Sequence, residues 1–307
     1  MDDSKVFRWL LDVDLLWPSP QGGPESTKAT AHCATSHWAT GKDASHALGM
    51  LAPQERAKVL RYYQPKDAKL SLGSSLLKRR AIVHTCQIAW PEGVVSEDSN
   101  RKPCYKPPDS DARTLEFNVS HHGSLVALVG CPGDVTRLGV DIVQMNWERD
   151  YARVMTEGFE AWANVYEMVF SEQEINDIAG FVPPEKLDSQ AEIRAKLRHF
   201  YAHWCLKEAY VKMTGEALLA PWLKDLEFRS VLVPLPAAQI PHSAQKTGDW
   251  GQTCDEIEIW FHGERVTDVK LEIQAFREDY MIATASSNVG VPLAAFEELC
   301  IERDVYP

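Results

Sequence analysis

The sequence predicts an α+β protein made of two halves of similar plan. Three observations carry this expectation. The predicted elements run strand–helix–strands and then strand–helix–strands again. The 307 residues suffice for two compact units of roughly 150 each. Hydrophobic residues at 45% against 25% charged residues supply a core for both. The expected boundary puts residues 1–135 in an N-terminal subdomain and 136–307 in a C-terminal one. No internal sequence repeat accompanies the plan.

The elements follow in order. Val6 to Leu16 alternates loosely and ends at Trp17-Pro18, so the chain opens on a strand. Residues 18–48 are poor in aliphatics and rich in Ser, Thr, Ala, Gly and His, and read as a long, exposed, disordered insertion. From Pro53 to His84 the apolar spacing is helical, through Val59, Leu70, Leu72, Leu76, Leu77 and Ile82. Pro91 to Pro108 is rich in loop formers. Glu116–Val119 and Leu125–Gly130 predict two short strands around the polar turn Ser120–Ser124, and Leu138–Val143 a strand buried on both faces.

Phe170–Ile178 predicts a short helix capped by Ser171, with Glu174 closing a capping box. The strongest helix signal runs from Ser189 to Met213. It opens with a second box, Ser189 with Glu192, and stops at Gly215. Ile193, Leu197, Phe200, Trp204 and Val211 mark its apolar face. Beyond it, Leu226–Val233 precedes a proline-rich loop at residues 234–253. Glu256–Phe261, Val269–Phe276 and Tyr280–Ala285 then read as an antiparallel meander.

Composition excludes several function classes. A net charge of −12 is the wrong sign for general nucleic-acid binding. No apolar run reaches the roughly 18 residues needed to span a membrane. The acidic start MDDSKVFRWLLDVD lacks the basic-then-apolar order of a secretory signal. Seven scattered cysteines, an odd number with no C-x-x-C pair, fit free thiols in a reducing compartment. A cytoplasmic protein is expected.

Three clusters carry candidate chemistry. The stretch from Glu55 to Arg80 holds eight Lys and Arg residues against Glu55 and Asp67, a local reversal of sign in an acidic chain. It fits a phosphate site or a solvated helix face, and composition alone does not choose. The segment EFNVSHHGS at residues 116–124 offers hydroxyl, imidazole and backbone donors to an anionic oxygen, or a merely structural turn histidine. Ser120 beside His121 also raises an acyl hydrolase, but no G-x-S-x-G elbow is present. In addition, neighbours on an extended segment point to opposite faces. Third, Asp141 ends an otherwise apolar strand, and a carboxylate there calls for a cationic partner. Glu208 and Lys212 form an i,i+4 pair on the long helix, suited either to a surface ion pair or to a shared Mg²⁺ site with Asp141.

The blocks FNVSHHGSLVALVG, LGVDIV and WCLKEAYVKMTGEAL, in that order and spacing, resemble the signature blocks of the Sfp-type 4′-phosphopantetheinyl transferases. YYQPKDAKLSLGSSLLKRRAIVH, NRKPCY, MTGEALLAPWLKDLEF and the closing IERDVYP look particularly like the fungal NpgA-type enzymes. The resemblance covers roughly residues 51–130, 138–143, 169–178 and 199–228. Residues 18–48, 147–166 and 234–253 fall outside it.

The resemblance implies two similar α/β subdomains in pseudo-twofold arrangement and a monomeric enzyme. Such an enzyme transfers the phosphopantetheine arm of coenzyme A to a serine of acyl, peptidyl or aminoadipate-reductase carrier domains. It implies Asp141 and Glu208 as ligands of Mg²⁺, with Mn²⁺ also suited to oxygen donors. By the same resemblance Glu208 activates the serine and Lys212 holds the phosphate at which charge develops. Asn118, Ser120 and His121 meet the coenzyme phosphates, His121 foremost. Lys102 and Pro103 line the nucleotide site, and Lys66, with Lys58 and Lys69, grips its phosphates. Arg79 and Arg80 serve either that grip or the docking of an acidic carrier. Many bacterial members place a third metal carboxylate two residues after the aspartate. Here that residue is Val143, so another group must complete the coordination. A non-catalytic coenzyme A-binding module of the same fold is the alternative.

Overall fold

The computed structural model describes residues 5–20, 31–109, 111–133, 136–145, 147–183, 188–216, 220–240 and 248–307. The chain divides into two compact units, one of Met1–Val135 with Val291–Pro307 and the other of Thr136–Gly290. The closing residues 291–307 thus belong to the first unit, against the expectation that they sit in the second. The reason is strand pairing: residues 293–298 lie parallel to the opening strand at residues 6–10. Among the described residues, no helix is long and apolar enough to cross a membrane.

In chain order the first unit starts with β1 (Val6–Asp12), α1 (Ala31–Trp38), α2 (Lys42–Gly49), α3 (Pro53–Val59) and α4 (Pro65–Cys86). It continues with β2 (Ser96–Glu97), β3 (Pro103–Cys104), β4 (Leu115–His122) and β5 (Leu125–Pro132). The second unit holds β6 (Leu138–Gln144), α5 (Trp147–Glu157), α6 (Phe159–Asn164), α7 (Glu172–Gly180) and α8 (Ser189–Thr214). Its strands β7 (Leu226–Arg229), β8 (Trp250–Cys254), β9 (Glu258–Phe261), β10 (Glu264–Val266), β11 (Lys270–Phe276) and β12 (Tyr280–Ser286) follow. A last strand, β13 (Leu293–Glu298), returns to the first unit.

The first unit is a four-stranded sheet in the order β13-β1-β5-β4, with β1 parallel to β13 and antiparallel to β5. Helix α4 packs on it. Pro65 opens α4, where a missing N–H costs nothing, and Gln87 ends it in a left-handed conformation. Leu72, Leu76, Leu77 and Ile82 of α4 join Trp9, Leu11, Phe117, Val126 and Leu128 in one buried cluster, which Ile301 and Val305 complete. The C-terminal tail is therefore part of this core. Each such large apolar side chain adds about 1.5–3 kcal/mol on burial.

Residues 31–49 correct the expectation of a disordered insertion. They form α1 and α2, and Trp38, Ala44, Ala47 and Leu48 are buried. The Trp38 indole N–H donates to the Trp17 carbonyl at 2.7 Å, and Thr35 Oγ1 donates to the Tyr63 carbonyl at 2.8 Å. Small alanines and one tryptophan carry this packing, which a count of aliphatics does not register. Residues 21–30 lie outside the described set.

The second unit repeats the plan with the sheet β6-β12-β11-β8 and α8 packed against it. Asp188, not Ser189, caps α8: its carboxylate accepts from the Gln190 and Ala191 N–H groups at 3.0 and 2.9 Å. A free carboxylate at the N-terminus satisfies two otherwise unpaired donors at once. At the other end Gly215 takes φ 79°, a conformation glycine adopts without strain. The expected meander holds for β11 and β12 only. The segment near Glu256 instead forms β9, in a separate sheet of order β10-β9-β7. Residues 147–166 form α5 and α6, whose Trp162 and Ala163 pack under Phe170, Leu197 and Phe200.

Candidate active site

In the second unit, β6 and α8 approach until backbone meets backbone. A Cβ on Gly139 would lie 2.0 Å from the Ala209 carbonyl oxygen and 2.5 Å from the Met213 nitrogen. Only glycine fits there. Two residues on, the Asp141 carbonyl accepts from the Cys205 thiol at 3.5 Å. This contact ties the middle of β6, where Asp141 lies rather than at the strand's end, to the C-terminal half of α8. Asp141 is buried, and its Oδ1 takes the Lys212 ammonium at 2.5 Å.

Glu208 is half-buried and makes no hydrogen bond or ion pair among the described residues. Burial foremost, and then the nearby Asp141 charge, push its carboxyl up to about 7, with Lys212 pulling it back. Among the described residues, the Lys212 ammonium stands beside two carboxylates that repel each other. A divalent cation bound by oxygen donors suits that set, because Mg²⁺ takes one or two carboxylates plus phosphate oxygens. Among the described residues, no group of three or more His, Cys, Asp or Glu side chains is arranged to hold a metal. Val143, on the same face of β6 as Gly139 and Asp141, is buried in the apolar cluster between α8 and the sheet and offers no ligand.

Lys207 sits next to Glu208 but turns the other way. It is fully buried with Glu174, Nζ to Oε2 at 2.9 Å. Burial pushes the Glu174 carboxyl up and the Lys207 ammonium down, while their mutual attraction pulls both back. Glu174 was legible as a capping-box residue, and its Oε2 does accept the Ser171 N–H at 2.8 Å. Its ion pair was not legible, because the partner lies 33 residues away in a different helix. Gly139 was missed too. A glycine inside an apolar strand, just ahead of an acid, is the signal that could have found it.

The remaining sequence-predicted residues all lie in the first unit. Asn118 and Ser120 are buried on one face of β4, two residues apart, whereas His121 is exposed and alternates to the opposite face. That alternation separates Ser120 from His121 and removes the hydrolase pair. Lys102 is half-buried with its ammonium on Glu116 Oε1 at 2.6 Å, and Pro103 lies on β3 opposite Glu97. Lys58 is exposed, 3.5 Å from Glu97 Oε1, and Lys66 is exposed on the first turn of α4. Lys69 donates to the Asp14 carbonyl at 3.1 Å.

Arg79 corrects an expectation. It is buried, with its guanidinium on Glu55 Oε2 at 2.5 Å and on the Trp90 carbonyl at 2.9 Å. A side chain held this way ties α4 to α3 and is withdrawn from both uses expected of it.

The comparisons with known proteins converge on one family. The family model described as 4′-phosphopantetheinyl transferase, N-terminal, matches residues 36–133, and that of the 4′-phosphopantetheinyl transferase superfamily matches residues 137–284. A 4′-phosphopantetheinyl transferase of Aureobasidium melanogenum is 35% identical over 353 residues, spanning 99% of this chain and 98% of the relative. The transferase NpgA of Emericella nidulans is 33% identical over 304 residues, spanning 85% and 88%. An L-aminoadipate-semialdehyde dehydrogenase-phosphopantetheinyl transferase of Xenopus laevis is 27% identical over 217 residues, spanning 70% and 64%. Identity above 30% over nearly the full length of both chains leaves one conclusion: this chain belongs to the 4′-phosphopantetheinyl transferase family.

Proposed function

We propose that this chain transfers the 4′-phosphopantetheine group of coenzyme A to a serine hydroxyl of apo carrier domains. The serine oxygen forms a bond to the β-phosphorus of the coenzyme pyrophosphate. The bond to the bridging oxygen breaks, and adenosine 3′,5′-bisphosphate leaves. The observation that carries the reading is the Asp141–Lys212 contact across β6 and α8, with Glu208 near enough for its carboxyl to feel both charges, in a chain of this family.

Asp141 and Glu208 would hold Mg²⁺, which when bound neutralises charge on the diphosphate. Glu208 takes up the proton that the serine hydroxyl loses. Lys212 pairs with the phosphate oxygens on which charge grows, and so stabilises the transition state more than the ground state. Catalysis of this kind is mostly positioning and charge neutralisation. In the first unit, Asn118, Ser120, His121, Lys102 and Pro103 are proposed to hold the coenzyme phosphates and nucleotide, together with Lys58, Lys66 and Lys69. The proposed setting is a monomer in the cytoplasm. Seven scattered cysteines with no C-x-x-C pair are the sequence feature that favours a reducing compartment.

The test mixes the protein with coenzyme A, Mg²⁺ and an apo carrier domain, and weighs the carrier. The carrier should gain one phosphopantetheine, and EDTA should stop the gain. Asp141→Ala and Glu208→Ala should each abolish transfer while circular dichroism stays native. Near-normal rates in either variant would show that the metal is held elsewhere.

A further inference from the structure

Lys207 has no hydrogen-bonding capacity left for a substrate. Its three ammonium protons go to Glu174 Oε2 at 2.9 Å, to the Leu223 carbonyl at 3.2 Å and to the Leu226 carbonyl. Its partner is equally engaged. Glu174 Oε1 accepts the Phe228 N–H at 3.0 Å, and Oε2 accepts the Ser171 N–H as well as the ammonium. Both side chains are fully buried, and the Phe228 ring lies against the ammonium, 5.1 Å from it. The network is closed. It joins the start of α7, the middle of α8 and the start of β7.

We propose that Lys207 is a positioning residue: with Glu174 it sets the rotation and height of α8, and thereby where Glu208 and Lys212 face Asp141. The proposal rests on the transferase reading above. Successive residues of a helix turn by about 100° and rise by about 1.5 Å. A clamp on Lys207 from α7 and β7 therefore presents the next residue, Glu208, on another side of the helix. The α8 interface with the sheet is otherwise mostly apolar, through Ala202, Leu206, Ala209 and Met213, with polar contacts at the Cys205 thiol on the Asp141 carbonyl and at Lys212 on Asp141 itself. Apolar contact is non-directional and tolerates small rotations. A hydrogen-bonded ion pair with three acceptors around one ammonium does not, because a slip of one residue breaks every bond at once. Gly139 sets how closely α8 lies on β6; Lys207 sets how it is turned.

The full chain, Lys207→Met and the double variant Glu174→Gln with Lys207→Met separate the possibilities, each assayed with coenzyme A, Mg²⁺ and an apo carrier domain and each melted in urea. Lys207→Met leaves a buried carboxylate unpaired and should be strongly destabilised. The double variant carries no buried charge, and the single oxygen of glutamine can still accept the Ser171 N–H. The Phe228 N–H and the Leu223 and Leu226 carbonyls lose their partners, so its stability should recover in large part but not fully. Its kcat should nonetheless stay at least about tenfold below that of the full chain, with KM for coenzyme A within about twofold. Recovery of both stability and kcat would reduce the pair to a structural role. A KM for coenzyme A raised by about fivefold or more at unchanged kcat would place Lys207 on the substrate instead. Either result overturns the proposal. A full chain that transfers nothing would overturn the transferase reading itself, which keeps the two failures distinguishable.

Discussion

Gly139→Ala is the smallest change that should disable the site without touching any group in it. The added Cβ would lie 2.0 Å from the Ala209 oxygen, 2.5 Å from the Met213 nitrogen and 3.0 Å from the Met213 Cα. Ordinary contact begins near 3.4 Å, so the worst clash asks for a shift of about 1.4 Å. All three atoms are backbone, and no rotamer can relieve them. Forcing an extra methyl into such a contact costs about 1–3 kcal/mol, and the upper end is expected here. The same shift, taken up between β6 and α8, draws Lys212 out of its 2.5 Å contact with Asp141. Misplacement of reacting groups by about 1 Å lowers rates by about a hundredfold. Carrier modification followed by mass spectrometry should therefore slow by about two orders of magnitude at saturating coenzyme A, with a urea midpoint lowered but still cooperative. Gly49→Ala is the control, since nothing lies within 4 Å of a Cβ there, and it should leave rate and stability unchanged. A Gly139→Ala protein that transfers within about threefold of the normal rate would show that the close approach does not set the catalytic geometry.

Two further outcomes follow from buried charge and buried neutral groups. Arg79→Ala should cost about 3 kcal/mol in urea melts, because Glu55 and the Trp90 carbonyl lose their donor, while KM for coenzyme A holds. A raised KM at unchanged stability would return Arg79 to the phosphate grip. Burial keeps His203 neutral down to about 3 and His199 down to about 4, against about 6.5 in the unfolded chain. The unfolded chain binds more protons in that window, so stability should be full above pH 6.5 and fall as pH drops toward 4. The loss should be about 2 kcal/mol per histidine at pH 5. His203→Gln should flatten that dependence by about half, and equal stability of the parent chain at pH 5 and 7.5 would refute the assignment.

Much of the fold was legible because local rules and tertiary packing agree. The stop of α8 at Gly215 and the capping box of Ser171 and Glu174 appear where the residues place them, whereas β4 runs on to His122 through most of the expected turn Ser120–Ser124, because cross-strand pairing with β5 holds these polar residues extended. The misreadings share a cause. Helices α1 and α2 bury Trp38, Ala44 and Ala47, and small side chains give a weak periodic signal whatever their burial. The cap of α8 fell to Asp188 because backbone geometry, rather than the letters of a box, decides which oxygen reaches the free N–H groups. Strand β9 left the expected meander because alternation specifies that a strand has two faces and is silent on which neighbour it pairs with.

At the candidate site the division is sharper. The order of residues along the chain was enough to supply the chemical inventory: an acid in an apolar strand, an acid and a lysine one turn apart on a helix, and basic residues ahead of both. Which of these meet was decided in three dimensions. Asp141 and Lys212 are 71 residues apart yet in contact at 2.5 Å, Lys207 is turned inward to Glu174, and Arg79 is buried on Glu55. Local propensity acts over a few residues, whereas the depth of a helix in its packing and its rotation about its own axis are set by everything it touches. Adjacent lysines and glutamates in one motif therefore end up as a clamp, a proposed metal ligand and a proposed phosphate partner only once the helix has been laid against its sheet.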